Sequence, residues 1–272
     1  MNRFKHLYIY MLTSKVDYNS ILAYLTSTIN CNIESRGADA LYRGLDKHSI
    51  AEMYASCRVK DIFNDINSNN TYVSEDVEYE LSILNGAPSQ QNIVYDGFRL
   101  QYLYSSMIDA DESSLDNVHI IITDRLLATY NEEDMRYHLN TIVLGYPSIV
   151  SIEGIVEAPA KPRAFYTLYY YHISRGIEIS VDEVKRIFKD AMLEHDDPRL
   201  TDVAKGYIMQ ALFYSMLNDA PFCDDKRCIL YNAHWQDEVI EAQIRYGRLC
   251  AKHREMLDEF NKYNDRNHDV TH

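Results

Sequence analysis

The sequence predicts an α/β protein with its strands early and its helices late. Up to about residue 163 the apolar residues fall in short, dense or alternating runs of strand length, and beyond it they recur at three- and four-residue spacing over helical lengths. Between the two lies EAPAKPR at 157–163, a rigid extended loop, because its prolines fix their own φ and bias the preceding residues away from helix. With 272 residues, 46% of them hydrophobic, the chain has ample material for a sizeable core. No repeat, low-complexity stretch or clear linker divides it. That predicts one domain over residues 1–272, strand-rich to about 163, helical over 164–264 and ending in a tail at 265–272.

Residues 4–12 cluster and alternate aromatic and aliphatic side chains as a strand does, and residues 18–29 then set Ile21, Leu22, Leu25 and Ile29 at helical intervals. Ser49 is placed to cap a helix carrying Ile50, Met53, Tyr54 and Cys57 toward Ile62 and Phe63, before a polar loop at 64–71. Alternation of Leu100, Tyr102 and Tyr104 predicts a strand over 98–107, with 109–116 an acidic surface connection. VHIIIT at 118–123 is apolar enough to be buried on both faces of a sheet, and Asp124 ends it. Two further strands, 140–145 and 148–156, are expected on either side of Tyr146-Pro147. Past Pro162 come an amphipathic helix at 181–193 and a nearly apolar one at 200–217. A last helix at 236–263 carries Val239, Ala242, Tyr246, Leu249, His253, Met256 and Phe260 on one stripe, and the residues after Asn264 are expected to fray.

Lys plus Arg number 27 against 41 Asp plus Glu, a formal charge of -14 that repels phosphate backbones and anionic membrane surfaces, so neither is an expected partner. No window approaches 18 uninterrupted apolar residues, so nothing is expected to span a bilayer. The opening MNRFKHLYIYML sets basic residues before an apolar run, but Tyr8 and Tyr10 interrupt it and no small-residue cleavage site follows. Five cysteines, an odd count without a secretory signal, point to a reducing cytoplasmic setting, and Cys31 and Cys57 read as buried thiols.

The other three cysteines are patterned. Cys223 and Cys228 form a CxxxxC loop, and Cys250 with His253 forms CxxH, three apart on one helix face. A structural zinc takes four ligands, mostly thiolate, and residues 231–235 can reverse the chain between the two pairs. The expectation is one structural Zn2+ per chain, held by Cys223, Cys228, Cys250 and His253. The competing account makes the first two loop thiols and His253 a core histidine, since CxxxxC is looser than a CxxC knuckle.

Read as a block, an apolar helix, then CxxxxC, an apolar residue two further on and a second ligand pair about twenty residues later resembles the archaemetzincins, a metzincin-like family of zinc peptidases. Their signature runs HExxHxxGxxH directly into CxxxxCxM and later CxxC. Leu230 stands at the methionine position and His253 at the last cysteine. VHIIITDRL at 118–126 is similar to the family's strand ending in Thr-Asp, and VEAPAKPR with YNAHW resembles an archaeal family assigned to the metallopeptidases. The resemblance implies a metzincin-like mixed sheet with flanking helices. The catalytic motif is missing: its histidine positions hold Leu212, Met216 and Phe222, its glutamate position holds Phe213, and a slip of three gives Met209, Gln210 and Phe213. Metzincin chemistry needs three zinc ligands, an open position and a glutamate base, and neither register supplies one.

Asp124, His138, His172, His195 and His234 are scattered candidates for a second metal or acid/base site, and Glu157, Lys161 and Arg163 in the proline loop for ion pairs or an anionic ligand. Trp235 is expected to pack the chain reversal, and Tyr169, Tyr170 and Tyr171 to face helix packing, or, if exposed, a binding surface. The expected function is therefore a metallopeptidase homologue that binds an unidentified protein or peptide, with an active hydrolase using a relocated metal as the alternative.

Overall fold

A computed structural model describes residues 2–64, 72–87 and 92–268, the side chains of 266–268 excepted. The chain opens with β1 (His6–Leu12), α1 (Tyr18–Thr28) and β2 (Asn32–Arg36), and β2 returns parallel to β1. Asp17 caps α1 by accepting from the Ser20 amide, which leaves Ile21 and Leu25 to face the core.

After α2 (Ala38–Leu41) comes α3 (Lys47–Ser56), which starts earlier than expected because Asp46, not Ser49, is its cap. The Asp46 carboxylate accepts from the His48 and Ser49 amides. The helix stops at Ser56, so Ile62 and Phe63 lie beyond it and are exposed. Most of the polar loop expected at 64–71 lies outside the described residues. α4 (Ser74–Leu84) packs on α3, and a three-residue β3 (Val94–Asp96) follows.

The strand expected at 98–107 is instead a helix, α5 (Gly97–Met107). Asp96 caps it through the Arg99 amide, and Leu100 and Tyr104, four residues apart, are buried while Tyr102 between them is 78% exposed. A strand would have put all three on one face; a helix turns Tyr102 outward.

β4 (Asn117–Thr123) is the apolar strand anticipated at 118–123. It is followed by β5 (Leu126–Asn131), β6 (Arg136–Asn140), β7 (Ile142–Val143) and β8 (Ser148–Ser151). β7 and β8 pair antiparallel around Tyr146-Pro147, as expected, but β8 ends at Ser151 rather than near 156. The Ser151 hydroxyl accepts from the Gly154 amide and starts α6 (Ile152–Glu157) at once. The antiparallel β5–β6 pair has no counterpart among the expected elements.

Two sheets result. The larger, in the order β2-β1-β4-β8-β7, is parallel except for β7; the smaller is β3-β5-β6. Alternation along the central strands divides the core in two. Leu7, Ile9, Val118, Ile120, Ile122 and Val150 face one side, and Tyr8, Tyr10, Ile121 and Ile149 face α3 and α5 on the other.

The late helices are α7 (Arg163–Ser174), α8 (Val181–Ile187), α9 (Leu200–Leu217), α10 (Gln236–Val239) and α11 (Ala251–His268); the last three cover the first side together with α1, while α7 and α8 pack on each other around Phe165, Val184 and Met192. α9 is buried almost throughout. The single helix expected over 236–263 is broken. α10 runs into a π-helical segment, Ile240–Tyr246, which ends at Gly247 with φ +54, a conformation glycine adopts at little cost. Among the described residues, no helix is long and apolar enough to cross a membrane.

Candidate metal centre

The break at Gly247 positions the ligands. Once the chain leaves the π segment, Cys250 stands just before α11 and His253 in its first turn, so both face back toward the end of α9. The CxxxxC loop reaches them by folding on itself: the Cys223 amide donates to the Leu230 carbonyl and the Cys228 amide to that of Asp225. The Ile229 amide then donates to the Arg248 carbonyl, tying the loop to the strand-like segment before Cys250.

The donor atoms of Cys223, Cys228, Cys250 and His253 all lie within 4.8 Å of one another. Cys223 Sγ is 3.9 Å from Cys250 Sγ, and His253 Nδ1 lies 3.6 Å from Cys228 Sγ and 3.2 Å from Cys250 Sγ. A tetrahedral zinc with ordinary bond lengths needs S–S edges of about 3.8 Å and S–N edges of about 3.5 Å. The three separations above lie near these edges and all four donors are within 4.8 Å of one another, which fits a closed tetrahedral site that leaves no position for substrate.

The surroundings act on the four ligands in opposite directions, since burial of a thiol opposes the thiolate that a metal takes. Burial pushes the Cys228 thiol up to about 12 and raises Cys223. Burial would also raise Cys250, but the His253 amide, the other two thiols and the Lys252 amide outweigh it and hold Cys250 below the ordinary cysteine range. The Cys250 amide donates to Cys228 Sγ at 3.4 Å, the contact expected of a thiolate ligand. Burial, followed by the Lys252 charge, lowers His253, which favours the neutral imidazole a metal takes. Phe213 closes the inner side with its ring edge-on to His253 at 5.5 Å. All five cysteines are thiols without disulfide partners; Cys57 is buried and Cys31 half-buried.

The helix on which the resemblance would place a catalytic zinc is core. Leu212, Phe213 and Met216 of α9 are completely buried, and Gln210 spends its amide on the Tyr231 carbonyl. Packed as core, these side chains do not supply the histidines and glutamate of a catalytic zinc site. Of the scattered candidates, Asp124 and His195 line one cleft together with Lys15 and Glu153, which the sequence reading missed. His138 pairs with Asp134 on the hairpin, His172 bonds the Leu168 carbonyl, and His234 engages Glu238 through its amide. In the proline loop Glu157 meets His195, Lys161 lies over Phe165 and Arg163 over the Trp235 ring. Trp235 bridges to Ala160 at the reversal. Tyr170 and Tyr171 are exposed while Tyr169 packs against the Phe165 cluster. His119, not singled out in the sequence, is a satisfied core histidine between the Tyr10 hydroxyl and the Glu112 carbonyl.

The fold is mixed α/β and carries a Cys3His donor set, and the sequence places the chain in a family. The probable metallopeptidase family DUF6775 matches residues 1–260, and the chain belongs to it. No curated protein matches. Among solved structures, a zinc-dependent peptidase from Methanocorpusculum labreanum (strain Z) is similar at 14% identity, covering 92% of this chain and 99% of its own, with a TM-score of 0.37.

Proposed function

We propose that this chain is a metallopeptidase-family protein without a metzincin centre. One structural zinc, held by Cys223, Cys228, Cys250 and His253, pins its C-terminal helices, and it acts in the cytoplasm as a binding or scaffold protein for a peptide or protein. The convergence of four donors, three thiols and an imidazole, within 4.8 Å of one another carries the zinc reading. The apolar packing of Leu212, Phe213 and Met216 supports the loss of the peptidase centre, since a cavity filled as core holds no substrate. Phe4 and Phe260, with rings 4.8 Å apart, support reading residues 1–272 as one domain. Such a site supplies folding energy, not an activated water, because every coordination position is a protein ligand.

The deciding measurement is zinc per chain of reduced full-length protein, by elemental analysis, for wild type and Cys250→Ser. One zinc in wild type, lost in the variant, is the expected result. A second zinc that survives Cys250→Ser would instead favour an active hydrolase with a relocated metal, and none in wild type would remove the metal reading.

A further inference from the structure

A cleft of about 790 Å3 opens at the carboxyl ends of β1 and β4, well apart in composition from the cysteine centre. The order β2-β1-β4-β8 makes this the place where the winding reverses: β1 feeds β2 on one side, and β8 follows β4 on the other. Crevices at such switch points are where parallel α/β sheets hold their ligands.

Three strand ends and one loop supply the charges. Lys15 and Thr13 follow β1, Asp124 follows β4, Glu153 and Glu157 lie on α6 directly after β8, and His195 and Asp196 come from the loop before α9. Thr13 donates to Asp124. Lys15 donates to Glu153 and lies 4.0 Å from Asp196. His195 Nε2 bonds Glu157 at 2.8 Å, while its buried Nδ1, 2.7 Å from Glu153, is out of hydrogen-bonding direction. Arg125 at the cleft floor is committed to Glu80 at 2.7 Å and lies over the Tyr54 ring.

The Arg125–Glu80 pair neutralises itself, which leaves Asp124, Glu153, Glu157 and Asp196 facing Lys15 and an imidazole. Burial, above the opposing pull of Thr13 and Lys15, holds the Asp124 carboxyl over its ordinary range, with the charges of Glu153 and Asp196 adding a smaller push the same way. A metal ion does not fit this deficit, since Lys15 already occupies the centre and these oxygens do not converge as the cysteine-site donors do. An organic cation fits, and Tyr42, Tyr79 and Tyr95 offer a wall for its carbon chain.

We propose that this cleft binds a primary ammonium or guanidinium group, as presented by a lysine or arginine side chain or the free amino end of a peptide, among Asp124, Glu157 and Asp196. The site does not depend on the zinc reading. The test is calorimetric titration of the full-length, zinc-loaded chain with the tripeptide Lys-Ala-Tyr, with N-acetyl-norleucyl-Ala-Tyr, and with agmatine. The lysine peptide should bind at least tenfold more tightly than its neutral counterpart, and Asp124→Asn and Asp196→Asn should each weaken it about tenfold. Asp196 is an exposed residue in the left-handed region that Asn tolerates, so that variant keeps its fold and its zinc. Agmatine binding as tightly as the peptide assigns the site to small amines. Equal affinity for the neutral peptide, no binding of either cation at millimolar concentration, or unchanged affinity in both variants with zinc content intact overturns the proposal.

Discussion

The cysteine centre and the strand-end cleft gather ionisable side chains in opposite ways. In the first, four soft donors point at one place, within 4.8 Å of one another, and Phe213 seals the inside. In the second, carboxylates from the residue after β4, from α6 and from a loop surround Lys15, spread over an open cavity, and leave a surplus of negative charge. Convergence without an opening suits a metal that holds structure, whereas divergence around an opening suits recognition of something from outside. In this chain the donors that match the resemblance to a peptidase family form the closed cluster, and residues with no place in that resemblance form the opening.

The sharpest way to break the contrast is to remove the metal. Binding energy at a structural zinc site is folding energy, on the order of 10 kcal/mol in small zinc modules. Chelation should therefore strip hydrogen-exchange protection from residues 223–231 and from the first turn of α11, while β1 and β4 stay protected. Equal loss in the strands would show the two regions to be one cooperative unit.

Next in size is the pair beneath the cleft. Glu80 is fully buried and accepts from Arg125 at 2.7 Å and from the Tyr95 hydroxyl at 2.6 Å. Glu80→Gln leaves Arg125 as a buried cation without its counter-charge, and denaturant titration should read a loss of about 3–5 kcal/mol. Zinc content should not change, because no metal ligand touches this pair.

A smaller loss is expected on the metal side from Gly206→Ala. Helix propensity alone would favour alanine by about 1 kcal/mol. The added Cβ, however, would stand 1.5 Å from Gln243 Oε1, and Gln243 donates at 2.8 Å to the Ile229 carbonyl beside Cys228. Displacing that amide strands a buried carbonyl, so the net result should be destabilisation of about 1–3 kcal/mol with weaker zinc retention in a competition assay. A gain in stability would mean that Gln243 swings aside freely and does not brace the loop.

How legible these regions were in the sequence follows from the range of the signals. CxxxxC and CxxH are local spacings, and the apolar run of β4 and the stripe of α9 are local patterns; all were readable without the fold. Misreadings came where two periods coincide: Leu100 and Tyr104 fit both a strand and a helix, and only the outward turn of Tyr102, foreshadowed by the Asp96 cap, separates them. The break in the last helix was signalled by Gly247 alone, against an apolar stripe that continues across it. The cleft was out of reach, because Lys15, Asp124, Glu153 and His195 are brought together by strand order, and strand order is not written in any one segment.

Asp124→Asn tests the cleft with the smallest expected change and the most informative sign. A carboxyl raised in the fold holds its proton more tightly than in the unfolded chain, so its contribution to stability is fully present below the ordinary value of 3.8 and is lost as pH rises through the folded value. At neutral pH the ionised Asp124 is then a net cost, despite the hydrogen bond from Thr13 and the charge of Lys15, with Glu153 and Asp196 adding to it. Asparagine keeps an oxygen for Thr13 and removes the charge. Thermal melts should therefore show a higher midpoint for the variant at pH 7, with the gap closing toward pH 4, at the expense of affinity for a cation. If the midpoint falls at pH 7 instead, attraction to Lys15 outweighs burial. The carboxylates would then be satisfied from within, and the cleft would be a structural ion cluster with no charge to offer a ligand.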